Sequence, residues 1–314
     1  MYAGIDLGGT NIAAALVDDD GSIIKRTSIP ADAGGGAKSI IDGLLKVSEN
    51  LLCDEKVTPI SIGIGVPGTV NDENGEVVFT PNLPLRNDII TNELNLKYGC
   101  PVRLGNDANC AALGETIAGG AKGAQDVVFL TLGTGIGGGV ILDGRLRTGL
   151  SGAACELGHS VIFAGGRKCG CGRLGCWESY ASASGLKITA MEYMENNTDS
   201  LLWQLCGGVA GRVDGRTVFK AYRAGDHTAQ SIVERYTKHL ATGIINIINM
   251  LDPEMICIGG GISKAWDCLS GPLLARIEAE QYYRFISQTL KTRIVKAKLG
   301  NDAGIIGAAM LGRR

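Results

Sequence analysis

Leu132-Gly133-Thr134-Gly135-Ile136-Gly137-Gly138-Gly139-Val140-Ile141-Leu142-Asp143-Gly144 is the stretch that decides how this chain is built. Residues 133–138 match the dinucleotide fingerprint G-x-G-x-x-G letter for letter. That fingerprint works only where a helix follows, because the pyrophosphate rests on the helix N-terminus. Here the apolar run Val140-Ile141-Leu142 follows and closes on Asp143-Gly144, the mark of a hairpin strand. The stretch therefore reads as strand, glycine turn, strand, and no nicotinamide site is expected. Such a turn can still hold a phosphate, since backbone N–H groups unobstructed by a Cβ can converge on an anion.

The same unit stands at the start of the chain. Gly9-Thr10-Asn11-Ile12 aligns with Gly133-Thr134-Gly135-Ile136, Leu16-Val17 with Val140-Ile141, and Asp20-Gly21 with Asp143-Gly144. A strand-like run precedes each copy, so the chain reads as two related halves. Outside the repeat, strand candidates at 60–66, 102–104 and 255–258 alternate with helix candidates at 38–52, 88–98, 108–118, 187–195, 217–224 and 303–311. A long amphipathic helix is expected over 228–251, with Ile232, Tyr236, Leu240, Ile244, Ile247, Ile248 and Leu251 on one face. It should stop at Asp252-Pro253. Strands alternating with helices place the chain in the α/β class.

Paired turns from two halves could grip a nucleoside triphosphate. Asp6, at the end of the first strand, would then hold Mg²⁺ through water. No Walker A sequence is present. A third glycine run, Gly259-Gly260-Gly261, follows the strand at 255–258 and fits either an adenosine lying on bare backbone or a tight structural turn.

Composition narrows the classes. Glycine accounts for 47 of the 314 residues, roughly twice its usual share. A net charge of −2 argues against a nucleic-acid partner, which demands a basic face. Length suggests about two domains. No apolar run is long enough to span a membrane, and no basic segment precedes a hydrophobic one at the N-terminus. A cytoplasmic chain without a membrane partner is expected. Of the ten cysteines, Cys53, Cys100, Cys110, Cys155, Cys206, Cys257 and Cys268 are scattered among apolar neighbours and read as small buried hydrophobes.

The other three belong to a cluster, H-x9-C-x-C-x4-C: His159, Cys169, Cys171 and Cys176. Three thiolates and an imidazole make a closed tetrahedral set for structural Zn²⁺. His227 and His239 lack such company and read as ordinary surface or helix residues. Glu156 and Glu178 flank the cluster, and a zinc knuckle would fix both carboxylates where sugar hydroxyls could use them. Asn106-Asp107-Ala108-Asn109 opens a helix after the strand at 102–104. That tetrad admits two readings: a helix cap, or a carboxylate at a strand-to-helix corner that accepts a proton from an attacking hydroxyl.

Asp6-Leu7-Gly8-Gly9-Thr10-Asn11, Asn106-Asp107-Ala108-Asn109, Leu132 to Gly139, Glu156-Leu157-Gly158-His159 and Cys169-Gly170-Cys171-Gly172-Arg173-Leu174-Gly175-Cys176-Trp177-Glu178 occur in one order. Together they resemble the ROK family, on the side of its bacterial glucokinases, from Met1 to the last helix. The resemblance implies the actin-like ATPase (RNase-H-like) fold, with two α/β domains around an interdomain cleft. The N-terminal domain is expected over 1–107 plus 301–314, and the C-terminal domain, containing the zinc knuckle, over 108–300. It implies ATP-dependent phosphorylation of a hexose 6-hydroxyl, glucose being favoured over fructose, allose, N-acetylmannosamine or N-acetylglucosamine. A homodimer or homotetramer follows from the resemblance alone. The family's sugar-responsive regulators carry a DNA-binding domain ahead of the first phosphate loop; Asp6 stands too near the start for one, so that role is not expected.

By the same resemblance Asp107 is the base, and Asn106, Glu156, His159 and Glu178 are hydroxyl ligands. Gly68, Thr80 and Asn82 match less specific sugar-side positions. Phosphate contacts fall on Gly8, Gly9, Thr10 and Asn11 and on Thr134, Gly135, Ile136 and Gly137, with Gly260 and Gly261 near the adenosine. Two residues depart from the family pattern: Cys155 replaces a usual glycine, and Trp177 a usual aliphatic residue.

Overall fold

The computed structural model describes residues 1–52, 58–286 and 289–313. Cys53 lies outside them. The repeat in the sequence is a repeat in topology. Strands β1 (Tyr2–Leu7), β2 (Asn11–Val17), β3 (Ile23–Pro30) and β4 (Ile62–Val66) begin the first sheet. A small three-stranded sheet follows in β5 (Thr69–Asn71), β6 (Glu76–Phe79) and β7 (Asp88–Ile89), and β8 (Val102–Asn106) completes the first sheet in the order β3-β2-β1-β4-β8. The second copy supplies β9 (Val127–Leu132), β10 (Ile136–Leu142), β11 (Arg145–Leu146), β12 (Met255–Gly259) and β13 (Arg293–Lys296), ordered β11-β10-β9-β12-β13. Each sheet thus runs outward from its glycine hairpin to strands added later in the chain.

Burial explains which strands are central. All five residues of β4 and of β12 are buried, as expected for parallel strands covered on both faces. β3, at an edge, alternates half-buried and exposed along its length.

Among the described residues ten α-helices accompany the sheets: α1 (Gly36–Leu52), α2 (Asn92–Tyr98), α3 (Asp107–Ile117), α4 (Glu178–Ala181), α5 (Ala183–Glu195), α6 (Leu201–Leu205), α7 (Gly215–Arg223), α8 (His227–Leu251), α9 (Trp266–Glu280) and α10 (Asp302–Met310). The amphipathic α8 starts at the Asp226 cap, which accepts the Ala229 N–H (2.7 Å), and ends at Asp252 with φ +43° just before Pro253. One expected helix is shorter than its pattern. Over 88–98 the first residues form β7 instead, because Ile89 pairs with Glu76 and the Ile90 N–H donates to Gly75 O (3.1 Å). Among the described residues no helix is long and apolar enough to cross a membrane.

The chain divides into two compact units, one of Met1–Phe129, Gly138–Cys155 and Ala297–Arg314, the other of Leu130–Gly137 and Glu156–Lys296. In the first, α3 and α10 are locked together by small residues. A Cβ on Gly114 would overlap Ala303 O, and one on Gly307 would overlap Cys110 O.

Candidate active site

In the first unit, the cap reading of the Asn106-Asp107 corner belongs to Asn106. Asn106 is the helix cap: its Oδ1 accepts the N–H groups of Ala108 (2.9 Å) and Asn109 (3.2 Å), while its Nδ2 donates to Gly68 O (3.0 Å). Asp107 is the first residue of α3, its Oδ1 accepting the Ala108 N–H (2.9 Å). The residue is open to solvent, yet the protein around its carboxyl raises its pKa above the ordinary 3.8, against the lowering pull of the backbone N–H groups. Asp6 lies within the field of Asp107. Burial raises its pKa first, and the Asp107 charge adds to the rise. Two carboxylates, one of which is held back from ionising by the charge of the other, form a donor set that favours a cation.

The first glycine turn sits directly after Asp6. It is closed by the Gly8 N–H on Asn11 O (2.9 Å), and Gly9, Thr10 and Asn11 are exposed. Thr80 is buried, and its hydroxyl donates toward Leu83 O (2.7 Å) and Leu85 O (3.1 Å), which leaves only its oxygen lone pairs for a ligand. Asn82 is exposed in the following bend.

In the second unit the cysteine–histidine set converges. The ligand atoms of His159, Cys169, Cys171 and Cys176 all lie within 4.8 Å of one another. Tetrahedral zinc with Zn–S bonds of ~2.3 Å would space its sulfurs about 3.8 Å apart. Cys171 and Cys176 Sγ are 3.6 Å apart, and Cys169 Sγ is 3.5 Å from His159 Nδ1. Burial, followed by the neighbouring thiols, pushes the Cys176 thiol up to about 12, an environment that a bound cation would reverse. The donor set and its spacing fit zinc. The loop bends tightly enough because Gly175 has φ +83° and packs where a Cβ would overlap Phe163 O. The Trp177 N–H then returns the chain to Ser160 O (2.8 Å).

Glu178 joins this cluster to the second glycine turn. Its Oε2 accepts the Ile136 N–H (2.9 Å), and its Oε1 faces the Cys169 thiol (3.7 Å). A Cβ on Gly135 would overlap Glu178 Oε2, and one on Gly158 would overlap Ile136 O. The turn is tied further by Ser184 Oγ on Thr134 O (2.8 Å) and the Ala183 N–H on Gly133 O (2.8 Å). Gly137 lies half-buried beyond it on β10. Glu156 is exposed, just ahead of the short 3-10 helix Leu157–His159. The third glycine run separates into two roles. Gly260, at φ +83°, packs where a Cβ would meet the backbone of Leu132, whereas Gly261 has open space around it.

The structure adds residues that the sequence did not single out. Arg167 donates to the carbonyls of Ser179 (3.2 Å) and Gly185 (3.4 Å), pairs with Glu192 (2.6 Å), and stacks over Tyr180 at 4.8 Å. It thereby clamps the zinc loop to α4 and α5. Position two before Cys169 was its only local signal. His239 is on α8 as expected but buried, edge-on to Phe163 and Tyr180 and held to about 4, chiefly by burial. Trp177 is fully buried against Gly243 of α8 and donates to His239 O (2.9 Å). Cys155 differs from the other scattered cysteines described: it is half-buried, with φ +68°.

The chain is similar to known proteins along nearly its whole length. A glucokinase of Thermotoga maritima is 38% identical over 311 residues, covering 98% of this chain and 96% of that one. A ROK family glucokinase from Streptomyces griseus, solved in complex with glucose and AMPPNP, superposes with a TM-score of 0.78 at 32% identity, covering 99% of each chain. A ROK hexokinase from Thermus thermophilus superposes with a TM-score of 0.81 at 31% identity, over 98% of this chain and 96% of that chain. The ROK family model itself matches residues 2–314, and the chain belongs to the ROK family.

Proposed function

We propose that this protein is a hexose kinase that transfers the γ-phosphoryl group of ATP to the 6-hydroxyl of glucose. The observation that carries the reading is Asp107, partly desolvated at the start of α3 with Asp6 in its field. Phosphoryl transfer needs positioning and charge neutralisation more than covalent chemistry. Asp107 accepts the proton of the 6-hydroxyl as its oxygen attacks the γ-phosphorus, and ADP departs. A carboxyl whose pKa is raised is, once ionised, a stronger base than an ordinary one. Asp6 would hold Mg²⁺, which when bound offsets the charge on the transferring group.

Asn106, Glu156, His159 and Glu178 bind sugar hydroxyls in this reading, with Gly68, Thr80 and Asn82 at its periphery. Residues Gly8 to Asn11 and Thr134 to Gly137 approach the phosphates, and Gly261 lies near the adenosine. Structural zinc on Cys169, Cys171, Cys176 and His159 Nδ1 would fix the imidazole so that its other nitrogen faces a hydroxyl. The test is ATP consumption against glucose, fructose, allose, N-acetylmannosamine and N-acetylglucosamine, with the product located by phosphorus NMR. Glucose should give the highest kcat/KM, by at least tenfold, and a 6-phosphate. A panel in which glucose is not turned over would overturn the reading.

A further inference from the structure

The first unit contains a cavity of about 880 Å³ that none of the roles above uses. Its size falls in the range of small-molecule sites. The floor is apolar: Leu113 and Ile117 of α3, Ile141 of β10, Leu146 of β11 and Met310 of α10. Four cations stand at its wall: Lys122, Arg145, Arg147 and Arg313. Two of them are engaged, Arg147 with Asp143 (3.1 Å) and Leu142 O (3.0 Å), and Arg313 with Asp19 O (2.6 Å). Lys122 and Arg145 are exposed and have no ion pair among the described residues. Asp19 and Asp20 also line the wall, and with Asp143 paired to Arg147 the four positive charges outnumber the negative ones by one.

We infer that this cavity is a second ligand site, for a small anion with an apolar body: a carboxylate, sulfonate or phosphate carried on a ring or chain. The apolar body lies on the floor, and the acid group pairs with Lys122 and Arg145. Filling the cavity acts on catalysis through α3. That helix begins at Asp107 and ends at the cavity, about 15 Å along its axis. The close approach at Gly114 and Gly307 makes α3 and α10 move as one body, so displacement at Ile117 reaches Asp107. The binding site stands independently of the kinase reading; the coupling rests on it, through Asp107.

The test uses the full chain and 1-anilino-8-naphthalenesulfonate as probe, followed by its fluorescence. Glucose and AMPPNP are kept saturating, so that the proposed catalytic ligands are occupied. Saturable binding of one probe per chain is expected. Lys122→Glu combined with Arg145→Glu should weaken it at least tenfold while leaving kcat without probe unchanged, because both side chains are exposed and remote from the chemistry. Probe should also change kcat at least twofold in the wild type and not in the double variant. Absence of saturable binding, or equal affinity in the double variant, overturns the site. Binding with unaltered kcat overturns the coupling.

Discussion

The two glycine turns arise from the same repeat and sit in the same place in their sheets, yet they are held differently. The first, over Gly8 to Asn11, is closed by its own backbone and lies open beside Asp6. The second, over Gly133 to Ile136, is gripped by side chains: Glu178 on the Ile136 N–H and Ser184 on Thr134 O. The first turn is held by backbone bonds, the Ala31 N–H donating to Thr10 O (3.0 Å), while the second is tied also by the side chain of Glu178, beside the cysteine–histidine cluster. The first half carries Asp107, proposed above as the proton acceptor, and the second a turn tied to the cysteine–histidine cluster.

The largest effect expected on this division is at the chemical end. Asp107→Asn keeps the size of the side chain but cannot accept the hydroxyl proton. Its kcat should fall by ~10²–10⁴, with glucose still bound in an equilibrium titration. Retention of a tenth of wild-type kcat would reject Asp107 as base. The pH dependence follows from the raised pKa. Activity requires the ionised form, so kcat should fall as pH drops through a value above 3.8. Stability runs the opposite way: the folded protein disfavours the ionised carboxyl, so stability is lost as pH rises through the folded pKa. Asp107→Asn should consequently unfold at higher urea than wild type at pH 8, the difference vanishing at the acid end.

Next in size is the metal cluster. Cys171→Ser should release zinc, measured by metal analysis against about one zinc per chain in the wild type. Because Glu178 faces Cys169 with one oxygen and holds Ile136 with the other, the loss should reach the second glycine turn as well as the sugar ligands. KM for glucose and KM for ATP should both rise, with kcat/KM for glucose down ~10–100-fold. If only the glucose KM moves, the turn is held without help from the cluster.

The turns can be set against each other directly. A Cβ at Gly9 meets nothing within 4 Å, whereas one at Gly135 overlaps Glu178. Gly9→Ala should fold normally and raise KM for ATP alone, while Gly135→Ala should raise both KM values by about tenfold through the displaced carboxylate. Equal behaviour of the two variants would erase the distinction drawn above. At Gly243, alanine would ordinarily favour the helix by about 1 kcal/mol, but its Cβ would overlap the buried Trp177 ring. Gly243→Ala should destabilise by ~1–3 kcal/mol in urea unfolding.

Much of this was legible in the sequence where a pattern is local. The duplicated hairpin, the cluster of His159 with Cys169, Cys171 and Cys176, and the period of α8 all survive as short-range signals. Features made by distant residues left little trace. β7 exists because Ile89 finds Glu76, and a helical pattern conceals it. His239 looked like any helix residue because its burial depends on Phe163 and Tyr180, far away in sequence. The link from Glu178 to Ile136 needs the fold, although both residues had already been placed at a site. Of the two departures from the family pattern, Trp177 is accommodated by an equally remote residue, Gly243.

Cys155 is the other departure, and it tests the segment that leads into Glu156. Its φ of +68° is a left-handed conformation that costs an L side chain roughly 1–2 kcal/mol and costs glycine nothing. Its thiol recovers part of that by donating to Arg147 O (3.3 Å). Glycine would relieve the strain but give the unfolded chain more freedom, a penalty of about 0.4–1 kcal/mol. The difference leaves Cys155→Gly more stable by up to about 1 kcal/mol, read as a higher urea midpoint with an unchanged slope. Kinetic constants for glucose and ATP should stay at wild-type values, since the thiol faces the backbone of its own unit. A lower midpoint would mean that the bond to Arg147 outweighs the strain. A raised glucose KM would mean instead that the strained cysteine helps to aim Glu156.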